Sequence, residues 1–136
     1  YTDADKLRAV APYVDLFLYD YKETDPALHK KFTGADNSLI LKNLRVLSDL
    51  GKSIVLRCPI VRGCNDRDEH YEAIAKIANT HSGISHIEIE PYHPLGEGKY
   101  AATGRECQHF ESFDDSEVDL IISKIRAHTD KAVKRA

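Results

Sequence analysis

Apolar positions along the chain alternate between runs of strand length and stripes of helical spacing. Val14 to Tyr19 (V-D-L-F-L-Y) is an apolar run of strand length, long enough to be buried on both faces. Before it, Asp3 to Ala11 predicts a short helix, with Thr2 or Asp3 as cap and Pro12 as terminator. After it, Asp25-Pro26 reads as the N-cap and first residue of another short helix. The turn cluster Thr33-Gly34-Ala35-Asp36-Asn37 leads to a helix over 38–50, with Asn37 as cap. Ile40, Leu44, Leu47 and Ser48 follow its spacing, and Gly51 stands where a glycine closes a helix. Ser53 to Ile60 is a second strand. Asp66 opens a further helix, with Glu69 as capping-box partner and Tyr71, Ile74, Ile77 and Ala78 as its stripe. Gly83 follows that helix. Ile84 to Glu90 is a third strand. A long loop over 91–113, rich in Gly, His and Pro, suggests function. Asp114 or Asp115 starts the last helix, carried by Val118, Ile121, Ile122 and Ile125. Lys131 to Ala136 reads as a solvated tail.

Strands that alternate with helices predict parallel βα units joined by right-handed crossovers. The expected fold class is therefore α/β, with three parallel strands and crossover helices. Three strands leave two open sheet edges, and half of a larger TIM-like barrel explains those edges better than a free three-stranded sheet.

The chain has 136 residues, enough for one compact domain with a core. Its 42% hydrophobic and 30% charged residues are ordinary for a globular protein. A net charge of −3 supplies no basic footprint for nucleic acid, and no apolar run is long enough to span a bilayer. The chain begins at Tyr1 with no signal peptide ahead of it, which suggests a piece of a longer protein. Three cysteines, Cys58, Cys64 and Cys107, form no dense framework and point to a reducing, cytoplasmic compartment. The spacing of Cys58 and Cys64 matches no usual zinc or cluster motif, so Cys58 reads as a buried structural thiol. Gly96-Glu97-Gly98-Lys99 opens no helix and does not make a phosphate loop.

Parallel α/β folds place their ligands at the carboxyl ends of the strands. Asp20 and Lys22 follow the first strand, Arg57 ends the second, and His93 follows the third. All three strands thus bring ionisable groups to one end. Such a set suits a small zwitterionic ligand: cations for a carboxylate, an anion for an ammonium, an imidazole for a hydrogen bond. Each residue alone also has a plain structural reading, as a surface ion pair, a salt bridge to a helix or a turn cap. Their coincidence at three strand ends favours a site.

The same residues carry a resemblance. Asp15 through Lys22, Asp25-Pro26 with His29, Thr33-Gly34 with Asn37, Ile40-Leu41 with Asn43-Leu44, Arg57-Cys58-Pro59, Gly63 with Asn65-Asp66, Pro91-Tyr92-His93, Leu95-Gly96 and Lys99-Tyr100 resemble, in the same order, the glycyl radical enzyme activating enzymes. These belong to the radical S-adenosylmethionine superfamily, and the pyruvate formate-lyase activating enzyme is a familiar member. The similarity covers roughly residues 13 to 104, and the chain resembles units four to six of the family's partial (βα)6 barrel. The family uses a reduced 4Fe-4S cluster to cleave S-adenosylmethionine. The deoxyadenosyl radical then takes a hydrogen from a backbone glycine of the partner enzyme.

By resemblance, Asp20, Lys22, Arg57 and His93 fall on positions that contact S-adenosylmethionine. Lys22 and Arg57 go to the methionyl carboxylate and ribose side, His93 to the adenine or ribose side. Asp20 also falls on a carboxylate associated with a monovalent cation. The implied partners are a glycyl radical enzyme, such as pyruvate formate-lyase, and an electron donor such as flavodoxin. The departures are as informative. The family's C-x₃-C-x₂-C run and the Gly-Gly-Glu stretch after it are absent, so this chain is expected to be inactive alone. Arg62 stands where the family usually has proline, and Glu90 where an apolar residue is common. An open sheet is also expected to self-associate. A stand-alone binding or regulatory module that retains only the cofactor-binding half is the alternative.

Overall fold

The computed structural model describes residues 1–94 and 109–136. Within them, four parallel strands form one sheet: β1 (Leu16–Asp20), β2 (Ser53–Ile60), β3 (Ile84–Pro91) and β4 (Ala132–Arg135), in the order β1-β2-β3-β4. Helix α1 (Ala4–Val10) and a 3-10 turn (Ala11–Tyr13) precede β1. Helices α2 (Pro26–Thr33) and α3 (Ser38–Asp49) lie between β1 and β2. Helix α4 (Asp68–Thr80) lies between β2 and β3, and α5 (Asp115–Arg126) precedes β4.

A sequential parallel order means that every crossover steps in the same direction. Right-handed crossovers repeated in one direction leave all their helices on one face. A doubly wound sheet reverses its order and takes helices on both faces, whereas a barrel arc does not. The core confirms the one-sided arrangement. Leu44 and Leu47 of α3, Ile74 and Ala78 of α4, and Val118 and Ile125 of α5 share one cluster with Ile54, Leu56, Cys58, Ile60, Ile87, Ile89 and Val133. The fold is thus the expected α/β arc, with one correction: it has four strands, not three.

The fourth strand is the segment expected to be a solvated tail. Ile87 pairs with Val133 and Glu88 with Lys134, and Val133 is buried. With one buried side chain among four residues, Ala132–Arg135 has too little periodicity to announce itself as a strand. Strand β1 runs two residues later than expected at its start, and it is covered on one face only: Leu16 and Leu18 remain 49% and 58% exposed.

Several caps form as expected. Asp3 accepts from Lys6 N–H, and Asp25 accepts from the backbone N–H groups of Ala27 and Leu28. Asp114 and Glu117 make a complete capping box. Two do not. Asn37 makes no side-chain cap; its amide instead donates to the carbonyls of Glu23 (3.1 Å) and Thr24 (2.7 Å), and Asp36 accepts from Ser38 N–H. Asp66 does not open α4, which starts two residues later; its carboxylate accepts from Gly63 N–H at 2.7 Å and closes the preceding turn. In both cases a longer-range or tighter local contact outcompetes the helix end. Gly83 sits where a Cβ would come within 2.5 Å of the Lys52 carbonyl, so only glycine lets β3 begin beside β2 there.

Candidate active site at the carboxyl rim of the sheet

Alternation along the strands divides the sheet into two chemically different faces. Ile54, Leu56, Cys58, Ile60, Ile87, Ile89 and Val133 point into the helix-covered core. The register places Leu18 beside Val55 and His86, Asp20 beside Arg57 and Glu88, and Pro59 beside Glu90, all on the other face. No helix among the described residues packs on that face. Its amino end is apolar and its carboxyl end is charged.

Arg57 is the centre of the charged end. Its Nε donates to Glu90 Oε1 at 2.6 Å, and a second guanidinium nitrogen donates to the same oxygen. Its remaining terminal nitrogen lies 4.0 Å from Asp20 Oδ1. The hydrogen bonds it donates to Glu90 hold the guanidinium still more firmly protonated than usual. Beside it, His86 Nε2 lies 3.3 Å from Glu88 Oε1. Three carboxylates thus stand around Arg57, and Lys134 is the register partner of Glu88 on the next strand.

Of the four residues singled out from sequence, Asp20 and Arg57 are neighbours in register and near each other in space. Lys22 stands two residues beyond Asp20 and is exposed. Tyr21 between them is buried in the core, and its N–H still pairs with the Arg57 carbonyl at 2.8 Å. Alternation therefore carries Lys22 to the same side as Asp20. His93 follows β3 and is exposed. It lines a cavity of about 380 Å³ with Glu90, Tyr92, Phe113 and Arg135. No direct contact joins His93 to Asp20, Lys22 or Arg57 among the described residues; Glu90 is the residue common to the cavity and the Arg57 cluster.

Sequence reasoning gave no role to the groups that hold this rim. Asn65, on the β2–α4 turn, donates from its amide to the carbonyls of Lys22 (2.7 Å) and Pro59 (2.8 Å), tying the ends of β1 and β2 together. Behind Lys22, Glu23 is buried at 1% exposure. Its carboxylate accepts from the N–H groups of Thr24 and Asp25 and from both terminal nitrogens of Arg67. Burial pushes the Glu23 carboxyl up, but the Arg67 and Asp25 hydrogen bonds outweigh it and hold its pKa below the usual range. His70, fully buried, is pushed down to about 4 by burial, so it is neutral; its Nδ1 lies 2.6 Å from the Thr24 hydroxyl. Arg67 stands at the N-cap position of α4 without a side-chain cap bond, and its guanidinium instead fixes the β1–α2 loop from behind through Glu23. The polar alternation His86, Glu88, Glu90 against Ile87 and Ile89 was a sequence signal for the open face. The pairing of Glu23 with Arg67, 44 positions apart, had none.

Cys58 fulfils its reading as a structural thiol: it is fully buried, and burial pushes its pKa well up. Gly96-Glu97-Gly98-Lys99, Tyr100 and Cys107 lie outside the described residues, as does most of the long loop over 91–113. The described ends of that loop are anchored. Phe110 meets Tyr92 edge-on at 5.5 Å, and the Arg62 guanidinium lies 4.4 Å over the Phe113 ring while donating to Glu117 at 2.7 Å. No helix among the described residues is long and apolar enough to cross a membrane.

No protein-family model matches the chain. Several curated proteins do. The chain is 42% identical over 101 residues to the trans-4-hydroxy-L-proline dehydratase activating enzyme of Clostridioides difficile, covering 74% of this chain and 33% of that protein. It is 32% identical over 133 residues to the choline trimethylamine-lyase activating enzyme of Oleidesulfovibrio alaskensis, covering 94% of this chain and 43% of that protein. It is 41% identical over 100 residues to the pyruvate formate-lyase-activating enzyme of Streptococcus mutans, covering 74% and 37%. The fold matches the crystal structure of a domain of a pyruvate-formate lyase-activating enzyme from Bacteroides vulgatus, with a TM-score of 0.78 over 97% of this chain and 73% of that one, at 19% identity. The chain spans from 33% to 43% of the length of these curated relatives.

Proposed function

Because this chain belongs by homology with the glycyl radical enzyme activating enzymes and matches their C-terminal portion, we propose that it is the C-terminal half of such an enzyme, spanning βα units four to six of a partial barrel. The whole protein reductively cleaves S-adenosylmethionine, an oxidoreductase activity, and installs a glycyl radical on pyruvate formate-lyase or a related enzyme in the cytoplasm. An electron donor such as flavodoxin feeds the cluster. The observation that carries the reading is the rim itself: Asp20 and Arg57 in register on the face that the helices leave open, with Lys22 and His93 at the ends of the flanking strands.

The residues present fit the cofactor and not the cluster. S-adenosylmethionine carries a sulfonium, an ammonium and a carboxylate, and a rim that holds several carboxylates beside an exposed lysine offers a counter-charge to each. Asp20 lies toward the cationic groups, and the Asp20 carboxylate is also where a monovalent cation would be held. His93, on the cavity at the end of β3, serves the adenine or ribose side. Asn65 and the Glu23–Arg67 pair keep Lys22 and the strand ends in place. When bound in the whole enzyme, S-adenosylmethionine with a reduced 4Fe-4S cluster supplies the hydrogen-abstracting chemistry. The cluster needs three thiolates, whereas Cys58 is locked in the core as a thiol and five residues separate it from Cys64. The chain alone is therefore inactive, and its open face and β1 edge lead it to self-associate.

The test is activation. The complete protein, reduced and supplied with S-adenosylmethionine, is mixed anaerobically with a glycyl radical enzyme. A glycyl radical signal in electron paramagnetic resonance is expected, and none from the 136-residue chain. A coding sequence that starts immediately before Tyr1, with no cysteine run upstream, would favour the stand-alone binding module instead.

A further inference from the structure

Glu90 changes what Arg57 can offer a ligand. A guanidinium grips a carboxylate through one of its edges, two N–H groups to two oxygens. One edge of Arg57 is already engaged: Nε and a terminal nitrogen both donate to Glu90 Oε1. The remaining terminal nitrogen faces Asp20 at 4.0 Å. Glu88 is the register partner of Arg57 on β3. Arg57 itself thus stands among three carboxylates, with Lys22 and Lys134 as the further cations of this face, and a carboxylate arriving from a ligand at Arg57 would meet like charge. Arg57 and Glu90 are 33% and 24% exposed, so solvent screens this repulsion only in part.

Resting on the reading of the rim as an S-adenosylmethionine site, we propose that Glu90 is a specificity-determining residue: by keeping Arg57 as its own partner, it withdraws that guanidinium from the cofactor's carboxylate. Arg57 then acts as a positioning residue. It spaces Asp20 and Glu90 around the rim and leaves the carboxylate of the cofactor to other groups. The consequence is selectivity. The Arg57 cluster gives no advantage to a ligand that carries the carboxylate over one that lacks it.

The experiment compares S-adenosylmethionine with decarboxylated S-adenosylmethionine by calorimetry on the complete, cluster-loaded enzyme. Glu90→Gln keeps the shape and removes the charge, and Glu90→Leu serves as a second variant; thermal melts check that both fold. The expected result is that Glu90→Gln tightens S-adenosylmethionine about tenfold, the size of one charge-assisted hydrogen bond, and leaves the decarboxylated ligand within about twofold. Arg57→Gln should abolish that gain in the Glu90→Gln background, yet alter the preference between the two ligands by less than about twofold in the parent. A tenfold loss of S-adenosylmethionine preference on Arg57→Gln in the parent, or no gain from Glu90→Gln, would overturn the proposal while leaving the site reading intact. Failure of the parent to bind either ligand would overturn both.

Discussion

The two faces of one sheet share the same strands and differ in almost everything else. On the helix side, Ile54, Leu56, Ile60, Ile87 and Ile89 are fully buried and packed against three helices. On the open side, Leu18 is 58% exposed, Arg57 pairs with Glu90 and faces Asp20, and Glu88 lies beside His86. The strand period of two lets a single segment such as Ile87-Glu88-Ile89-Glu90 serve both. Stability resides on the first face and the candidate chemistry on the second. Only the carboxyl rim joins them, through the buried Glu23–Arg67 pair that stands behind Lys22.

Substitutions should separate the two. The largest effect is expected at the junction. Glu23→Ala leaves the half-buried Arg67 without its partner and two backbone N–H groups without an acceptor, a loss of about 3–5 kcal/mol in urea unfolding. Leu56→Ala on the packed face should cost about 2–5 kcal/mol by the same measurement, through lost burial and a cavity. Acid should act on the same junction. His70 has its folded pKa depressed to about 4 against an ordinary 6.5, so the unfolded chain binds more protons between these values. Its contribution is complete above pH 6.5 and falls as the pH drops toward 4. The depressed Glu23 carboxyl acts in the same sense: its contribution is present above its unfolded pKa and is lost as pH falls through the lower folded value. Melting temperature measured from pH 7 to 4 should decline, and Glu23→Gln combined with His70→Asn should flatten the decline. The smallest effect belongs to the open face. Leu18→Ser should change monomer stability by no more than about 0.5 kcal/mol, yet weaken self-association in light scattering.

What could be read from sequence followed from local order. Strands β2 and β3, Asp25-Pro26, the Asp114 capping box and the strand-end position of Asp20 all rest on spacings of a few residues, whereas Arg57, expected at the end of β2, stands three residues before it. What was missed depends on partners far along the chain. β4 is a strand because Val133 finds Ile87, not because A-V-K-R resembles one. Asn37 abandons its cap for carbonyls 13 and 14 residues earlier, and Asn65 reaches back to Lys22. Glu90 was visible as a departure from the expected apolar residue, but its role appeared only when β3 was laid beside Arg57.

Amide hydrogen exchange of the complete enzyme, with and without S-adenosylmethionine, places the ligand most directly. The account predicts slowed exchange confined to the carboxyl rim, at 20–24, 57–65 and 92–93. Slowing at the opposite end of the strands instead, at 50–53 and 81–84, with the rim unchanged, would contradict it.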